Sequence, residues 1–229
     1  MADLVVIVPS RGRPEAAAAL AQHFKNTCTA DTLLVFALDE DDPDRCAYVE
    51  ALLLSGPNCL HLVRPTATMV QALNSAASSY AKIVPALGFM GDDHCPRTYG
   101  WDTAYLEALR ELGTGIVYGN DLLQGHRLPT QCAMTSDIVR ALGYMSPPEL
   151  RHMYVDNFWR DLGKAADCLR YLPDAIVEHR HPLAGKAQMD EGYERVNHPD
   201  VYAADERVYA EYRRTRFAGD VAIVQALRG

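Results

Sequence analysis

Four apolar runs, at residues 4–9, 32–38, 59–63 and 83–92, follow one another along the N-terminal part of the chain with helical patterns between them. Pro14, followed by Glu15 and an alanine-rich stretch, opens the first interval as helices prefer, and a further helix is predicted over residues 68–77. This alternation predicts an α/β fold with a mostly parallel central sheet flanked by helices and ligands beyond the carboxyl ends of the strands. Polar clusters fall at those ends: Ser10-Arg11-Gly12-Arg13-Pro14 after the first run, Asp39-Glu40-Asp41-Asp42-Pro43 after the second, and Gly91-Asp92-Asp93-His94 closing the fourth. A single polar turn is ordinarily just solvated, but three converging on one sheet edge predict a site.

The second half is less regular. Helices are predicted at 102–112, 137–142 and 204–214 and from Val155 onward, with Asp156 available to cap the last. Strands are predicted at 115–119, 131–136 and 169–178, the last running into His179-Arg180-His181-Pro182. The 229 residues, 48% of them hydrophobic, suffice for one sizeable core and show no repeat or Pro/Gly linker. The N-terminus lacks a basic leader region and no apolar stretch approaches the roughly 20 residues that span a bilayer, so a cytoplasmic protein with no membrane partner is expected. Six scattered cysteines without a C-x-x-C pair are expected to be reduced and structural. A formal charge of -8 argues against non-specific binding to a nucleic-acid backbone, although a local basic patch stays open.

Adjacent carboxylates such as Asp92 and Asp93 repel, and a divalent cation bridging to phosphate oxygens is the usual counter-charge; the competing reading is a polar turn. Neither G-x-G-x-x-G nor the P-loop pattern occurs, so a nucleotide would need another mode of binding. Ser10, Arg11 and Arg13 can donate to phosphate or a base edge, or form an exposed basic turn. Asp39 is placed to accept from a base N–H or ribose hydroxyls, with Glu40, Asp41 and Asp42 read as a solvated face. Arg64 and Asn74 are candidates for a polar wall near a diphosphate. His179 and His181, two residues apart in an extended segment, project to one side, and imidazole with carboxylate suits Mn²⁺ and similar ions. Asp156, beside Phe158 and Trp159, is a candidate base with a raised pKa as well as a helix cap. Trp101 is read as core, with stacking on a sugar as the alternative. The tail arginines Arg207, Arg213, Arg214 and Arg216, interleaved with Glu206 and Glu211, read as a solvated helix rather than a surface for an acidic acceptor.

Together these features resemble the GT-A glycosyltransferases, particularly the family 2-like enzymes and their compact relatives in bacteriophages and bacteria. The resemblance is carried by Val6-Ile7-Val8-Pro9-Ser10-Arg11-Gly12-Arg13-Pro14, Asp39, the DXD-like Gly91-Asp92-Asp93-His94, Asp156 and His179-x-His181, with Gly91 standing where a D-x-D ending at Asp93 would have its first acid. It implies a GT-A catalytic domain over residues 1–184 and a helical extension over 185–229 packed on it. It implies a first turn (Pro9, Ser10, Arg11, Arg13) and an acid (Asp39) that hold the nucleotide, UDP-sugar favoured over GDP-sugar. Asp93 would be the main ligand of Mn²⁺ or Mg²⁺, Asp92 a ribose or metal contact, and His179 or His181 would complete the shell. Asp156 would be the base of an inverting transfer. The acceptor (DNA base, protein or small glycan), the stereochemistry and the oligomeric state stay open. Two other readings share these residues: a metal-dependent phosphoesterase, marked by two metals and phosphate release without an acceptor, and a non-catalytic nucleotide- or glycan-binding module.

Overall fold

Leu4, Val5, Val6, Ile7 and Val8 are all buried, so a strand built from them must be covered on both faces. They form β1 (Leu4–Ser10) in a computed structural model that describes residues 2–52, 58–182, 185–186 and 198–229. Around it lie β2 (Thr32–Asp39), β3 (Cys59–Arg64), β4 (Ala86–Phe89), β5 (His94–Pro96), β6 (Ile116–Asn120), β7 (Cys132–Thr135) and β8 (Leu169–His179), in the order β3-β2-β1-β4-β7-β6-β8-β5. The pairs β3/β2, β2/β1, β1/β4 and β6/β8 are parallel. The pairs β4/β7, β7/β6 and β8/β5 are antiparallel. The parallel character predicted from the N-terminal alternation therefore holds there, and the second half makes the sheet mixed.

Strand parity separates two cores. Val5, Ile7 and Val35 face α3 (Met69–Tyr80), α5 (Ser136–Leu142) and α6 (Val155–Ala165), a layer closed by α7 (Pro199–Thr215) and α8 (Phe217–Leu227) through Tyr209, Tyr212 and Val224. Leu4, Val6, Val8, Leu34 and Phe36 face α1 (Pro14–Thr27), α2 (Arg45–Leu52) and α4 (Trp101–Leu112). Trp101 is fully buried, edge-on to Phe24 at 5.3 Å and to Tyr105 at 5.2 Å, so it packs the core. The six cysteines are free thiols. Among the described residues no helix is long and apolar enough to cross a membrane.

Three elements had no signal in the sequence. The helix α2 is short, β5 has three residues and so no readable periodicity, and α8 is too uniformly apolar to show a face. The fourth run forms a strand only from Ala86 to Phe89, because the 80–84 segment closes the turn after α3 and Gly91 turns the chain back into β5. Asp156 is not the cap of α6. Tyr154, with φ 67° and ψ 6°, turns the chain into that helix, and Asp156 accepts the N–H of Asn157 at 2.8 Å.

Candidate active-site cleft

The polar strand ends meet in one cleft of about 690 Å³. Pro9, Ser10, Arg11, Arg13, Asp39, Asp92, Asp93, Asp156, His179 and His181 all line it. Arg64 and Asn74, the candidates for a polar wall, are not among its lining residues. Arg64 turns outward, its Nη1 on the Val63 carbonyl at 2.9 Å. The Asn74 amide is engaged in packing: it donates to the Ser146 carbonyl at 2.8 Å and accepts the N–H groups of Met145 at 2.9 Å and Ser146 at 3.1 Å. An asparagine among small helix residues serves here to anchor a loop.

At one end of the cleft, Arg11 reaches Asp39 at 3.2 Å and Asp41 at 2.5 Å, and the Thr66 hydroxyl donates to the other Asp39 oxygen at 2.5 Å. The contact with Arg11 lowers the pKa of the Asp41 carboxyl. Asp42 departs from the solvated face expected for it: it is 4% exposed, accepts the Gly12 N–H at 3.0 Å and the Asp44 N–H at 2.9 Å, and so fixes the turn after β1. Gly12 has φ +69°, a conformation that favours glycine.

Asp92 is gripped from β1. Ser10 donates to it at 2.5 Å and Arg13 lies at 3.2 Å, while Tyr48 of α2 contacts the Ser10 hydroxyl at 2.6 Å and accepts the Arg13 N–H at 2.9 Å. Burial, then the neighbouring Asp93, pushes the Asp92 carboxyl up to about 6 against these partners. Tyr48 contributes to the site without having been predicted, since nothing local marks a tyrosine brought in by a distant helix.

The β5/β8 pairing sets His94 directly opposite His179. Their rings stack at 4.4 Å, and Asp93 lies 3.3 Å from His94 Nδ1 and 3.2 Å from His179 Nε2. Burial works to raise the Asp93 pKa, but contacts with His179 and His94 outweigh it and hold the carboxyl well below the ordinary range. Burial also opposes the charge on His179, and Asp93 more than offsets it, raising that imidazole; burial and His179 together lower His94. The His181 ring lies 5.2 Å from that of His179 and lines the cleft, but outside the trio.

This trio could hold a divalent metal. Asp93, His94 and His179 each offer a ligand atom within 4.8 Å of the others, a carboxylate-and-imidazole set that suits Mn²⁺-like ions. Two buried ring nitrogens, His94 Nε2 and His179 Nδ1, have no hydrogen-bond partner among the described residues. Because His94 Nδ1 accepts the Gly91 N–H at 3.0 Å, it can ligate only by releasing that bond, so Asp93 and His179 are the readier ligands. His94 was visible in the motif but not predicted as a ligand, because the strand that returns it to His179 has no sequence signature.

Asp156, on the first turn of α6, faces the cleft, and burial raises its carboxyl pKa. The wall beside it comprises Arg151, His152, Met153 and Tyr154, with Val201 and Tyr202 of α7 completing it. A second cavity, about 560 Å³, shares Arg13 and Asp92 to His94 with the cleft and runs against α1, where His23 lies 3.1 Å from the Cys95 sulfur.

No protein-family model matches the sequence, and no curated protein matches it significantly. Solved structures do. TarS of S. aureus, residues 1–349, superposes with a TM-score of 0.60 at 14% identity over 100% of this chain and 90% of that one. In other TarS structures the chain spans less of the partner: 59% of the UDP complex of residues 1–349 and 36% of a longer TarS chain. The mannosyltransferase PcManGT of Pyrobaculum calidifontis, in complex with GDP-Man and Mn²⁺, gives 0.58 at 12% identity over 98% of this chain and 73% of that one. Glucosyl-3-phosphoglycerate synthase of Mycobacterium tuberculosis, with Mn²⁺, UDP and glucosyl-3-phosphoglycerate, gives 0.55 at 14% identity over 80% and 74%. These likenesses show the fold: the chain has the GT-A, nucleotide-diphospho-sugar transferase fold.

Proposed function

We propose that the chain is a metal-dependent glycosyltransferase that moves a sugar from a nucleoside-diphosphate sugar to an acceptor. The observation that carries this reading is the meeting, at the carboxyl edge of a GT-A sheet, of the Asp93–His94–His179 trio with the Arg11–Asp39 pair and the buried Asp156. Nucleotides bound in similar structures support it: UDP with Mn²⁺ in one, the donor GDP-Man with Mn²⁺ in another. We take UDP-sugars as the favoured donors and the compact bacteriophage or bacterial enzymes as the type. Residues 1–184 form the catalytic domain in this reading, and residues 185–229 a helical extension packed on it.

Geometry and charge support each role. Asp39, already steadied by Thr66 and Arg11, keeps lone pairs for a base N–H or ribose hydroxyl; the Pro9-to-Arg13 turn lies alongside. Asp92, fixed by Ser10 and Arg13, is the ribose-side or metal-side contact. Asp93 and His179, with His94 beside them, would hold Mn²⁺ or Mg²⁺, and His181 is the adjacent candidate. When bound, the ion supplies Lewis-acid stabilisation of charge on the departing nucleoside diphosphate. Asp156 takes the acceptor's proton in an inverting transfer, its burial making it a stronger base than a solvated carboxylate.

Calorimetric titration with UDP-glucose and GDP-mannose, with and without Mn²⁺, tests this reading. Binding that requires the ion, with one ion per chain, is expected; the absence of metal-dependent binding to either nucleotide sugar would overturn it. Mass spectrometry of DNA, protein and small-glycan fractions from expressing cells then identifies the acceptor among those three classes.

A further inference from the structure

The loop before Asp156 is held from outside the sheet domain. Asp205, on α7, is fully buried, and its carboxylate accepts three consecutive backbone N–H groups: Arg151 at 3.1 Å on one oxygen, His152 at 2.8 Å and Met153 at 2.7 Å on the other. A buried carboxylate is tolerated where hydrogen bonds replace its hydration, and here the donors are all main-chain groups of one wall of the cleft. On the opposite side, the Arg151 carbonyl accepts the Val70 N–H of α3 at 3.2 Å, so the loop is pinned between two helices.

The loop has reason to need pinning. It ends at Tyr154, whose left-handed backbone is disfavoured for a bulky residue, and this turn aims the first residues of α6, Asp156 among them, into the cleft. One helical turn beyond Asp205, the Tyr209 ring stacks on Tyr154 at 5.4 Å and its hydroxyl donates to Asp161 of α6 at 2.9 Å. One turn before it, Val201 and Tyr202 line the cleft directly. The same helix therefore supplies wall, anchor and buttress.

We propose that Asp205 is a positioning residue for the transfer reaction: from the C-terminal helix it fixes the 151–153 backbone and, through Tyr154, the placement of Asp156. The inference rests on the transferase reading for its catalytic half, and α7 is part of the working site rather than an appendage.

The test compares wild type, Asp205→Asn and the solvent-exposed neighbour Glu206→Gln on the full chain. In wild type the Arg151, His152 and Met153 amides exchange slowly with deuterium; free exchange there would by itself overturn the anchoring. In Asp205→Asn those amides exchange on the order of 100-fold faster than in Glu206→Gln, as expected for loss of charge-assisted bonds. Metal-dependent hydrolysis of UDP-glucose then falls about 10- to 100-fold in kcat, the scale for a displaced catalytic group, while KM and the affinity for UDP with Mn²⁺ stay within about threefold. Turnover retained while the amides are released would reduce Asp205 to a structural role and overturn the proposal. A wild type that binds metal and UDP but turns over no nucleotide sugar, alone or with acceptor fractions, would overturn the catalytic half together with the transferase reading, whereas amide exchange still decides the anchoring.

Discussion

His94 and His179 are opposed residues of the antiparallel β5/β8 pair, with rings stacked at 4.4 Å and Asp93 in contact with both. The metal-binding potential of this chain depends on that short pairing as much as on the acidic motif. His179→Ala and His94→Ala are each expected to weaken Mn²⁺ binding by about tenfold or more, with His179 the larger because His94 must first release Gly91. His181→Ala should stay within roughly threefold, since its ring lies outside the trio. Electron paramagnetic resonance titration of Mn²⁺ reads all three, and a His181 effect equal to that of His179 would refute the assignment.

Asp156 should set the acid limb of the rate profile. Burial raises its pKa, so the carboxylate form needed for proton abstraction is lost at a higher pH than for a solvated aspartate. Activity is then expected to fall as pH drops through that raised value, and Asp156→Asn should lower kcat by about 10²- to 10⁴-fold. A pH–rate profile for wild type whose acid limb lies at or below the ordinary aspartate range of about 4 would contradict this role.

Glu178, next to His179, ties the end of β8 to its surroundings. Arg97 bonds it at 3.0 and 2.5 Å and Lys186 at 2.9 Å, and these partners, Arg97 first, lower its pKa from 4.5 to about 2. A depressed acid stabilises the fold fully above its unfolded value, and the contribution disappears as pH falls toward about 2. With Arg97 partly solvent-screened, Glu178→Gln should cost about 1–2 kcal/mol at pH 7 and progressively less below pH ~4, measured by urea unfolding. An equal cost at both pH values would argue against the ion pairing.

Asp102 offers a contrast, a buried acid with no part in the cleft. It accepts the Thr29 and Ala30 N–H groups, each at 3.0 Å, and the Thr32 hydroxyl at 2.7 Å, closing the turn between α1 and β2. Asp102→Ala should destabilise by about 2–4 kcal/mol in thermal unfolding and leave Mn²⁺ affinity unchanged. Altered metal binding in the folded variant would show coupling that the geometry does not contain.

What the sequence made legible follows from what is local. Ser10, Arg11, Asp39, Asp92 and Asp93 could be placed because each directly ends an apolar run, and the order of runs places strand ends on one edge. His179 could be placed by its position at the end of β8. His94, Tyr48 and Asp205 could not be given their positions. One depends on a three-residue strand, one on a helix with no clear periodicity, and one on a carboxylate that meets main-chain groups some fifty positions away, at Arg151 and its neighbours. The partners of Asn74, at Met145 and Ser146, were out of view for the same reason, being distant in the chain. The tail arginines, read as a solvated helix, are exposed: Arg213 pairs with Asp161, Arg214 with Glu211 and Arg216 with Glu149 in separate surface ion pairs.

The central claim is that one divalent ion, held by Asp93 and His179 with His94 beside them, fastens a nucleoside diphosphate over the carboxyl edge of the sheet. Anomalous diffraction from crystals grown with Mn²⁺ and UDP tests it most directly. The account predicts one manganese peak within coordination distance of Asp93 and His179, with the diphosphate on the ion and the base beside Asp39. A manganese peak elsewhere, two ions in the cleft, or UDP bound away from Asp39 and the trio would contradict it.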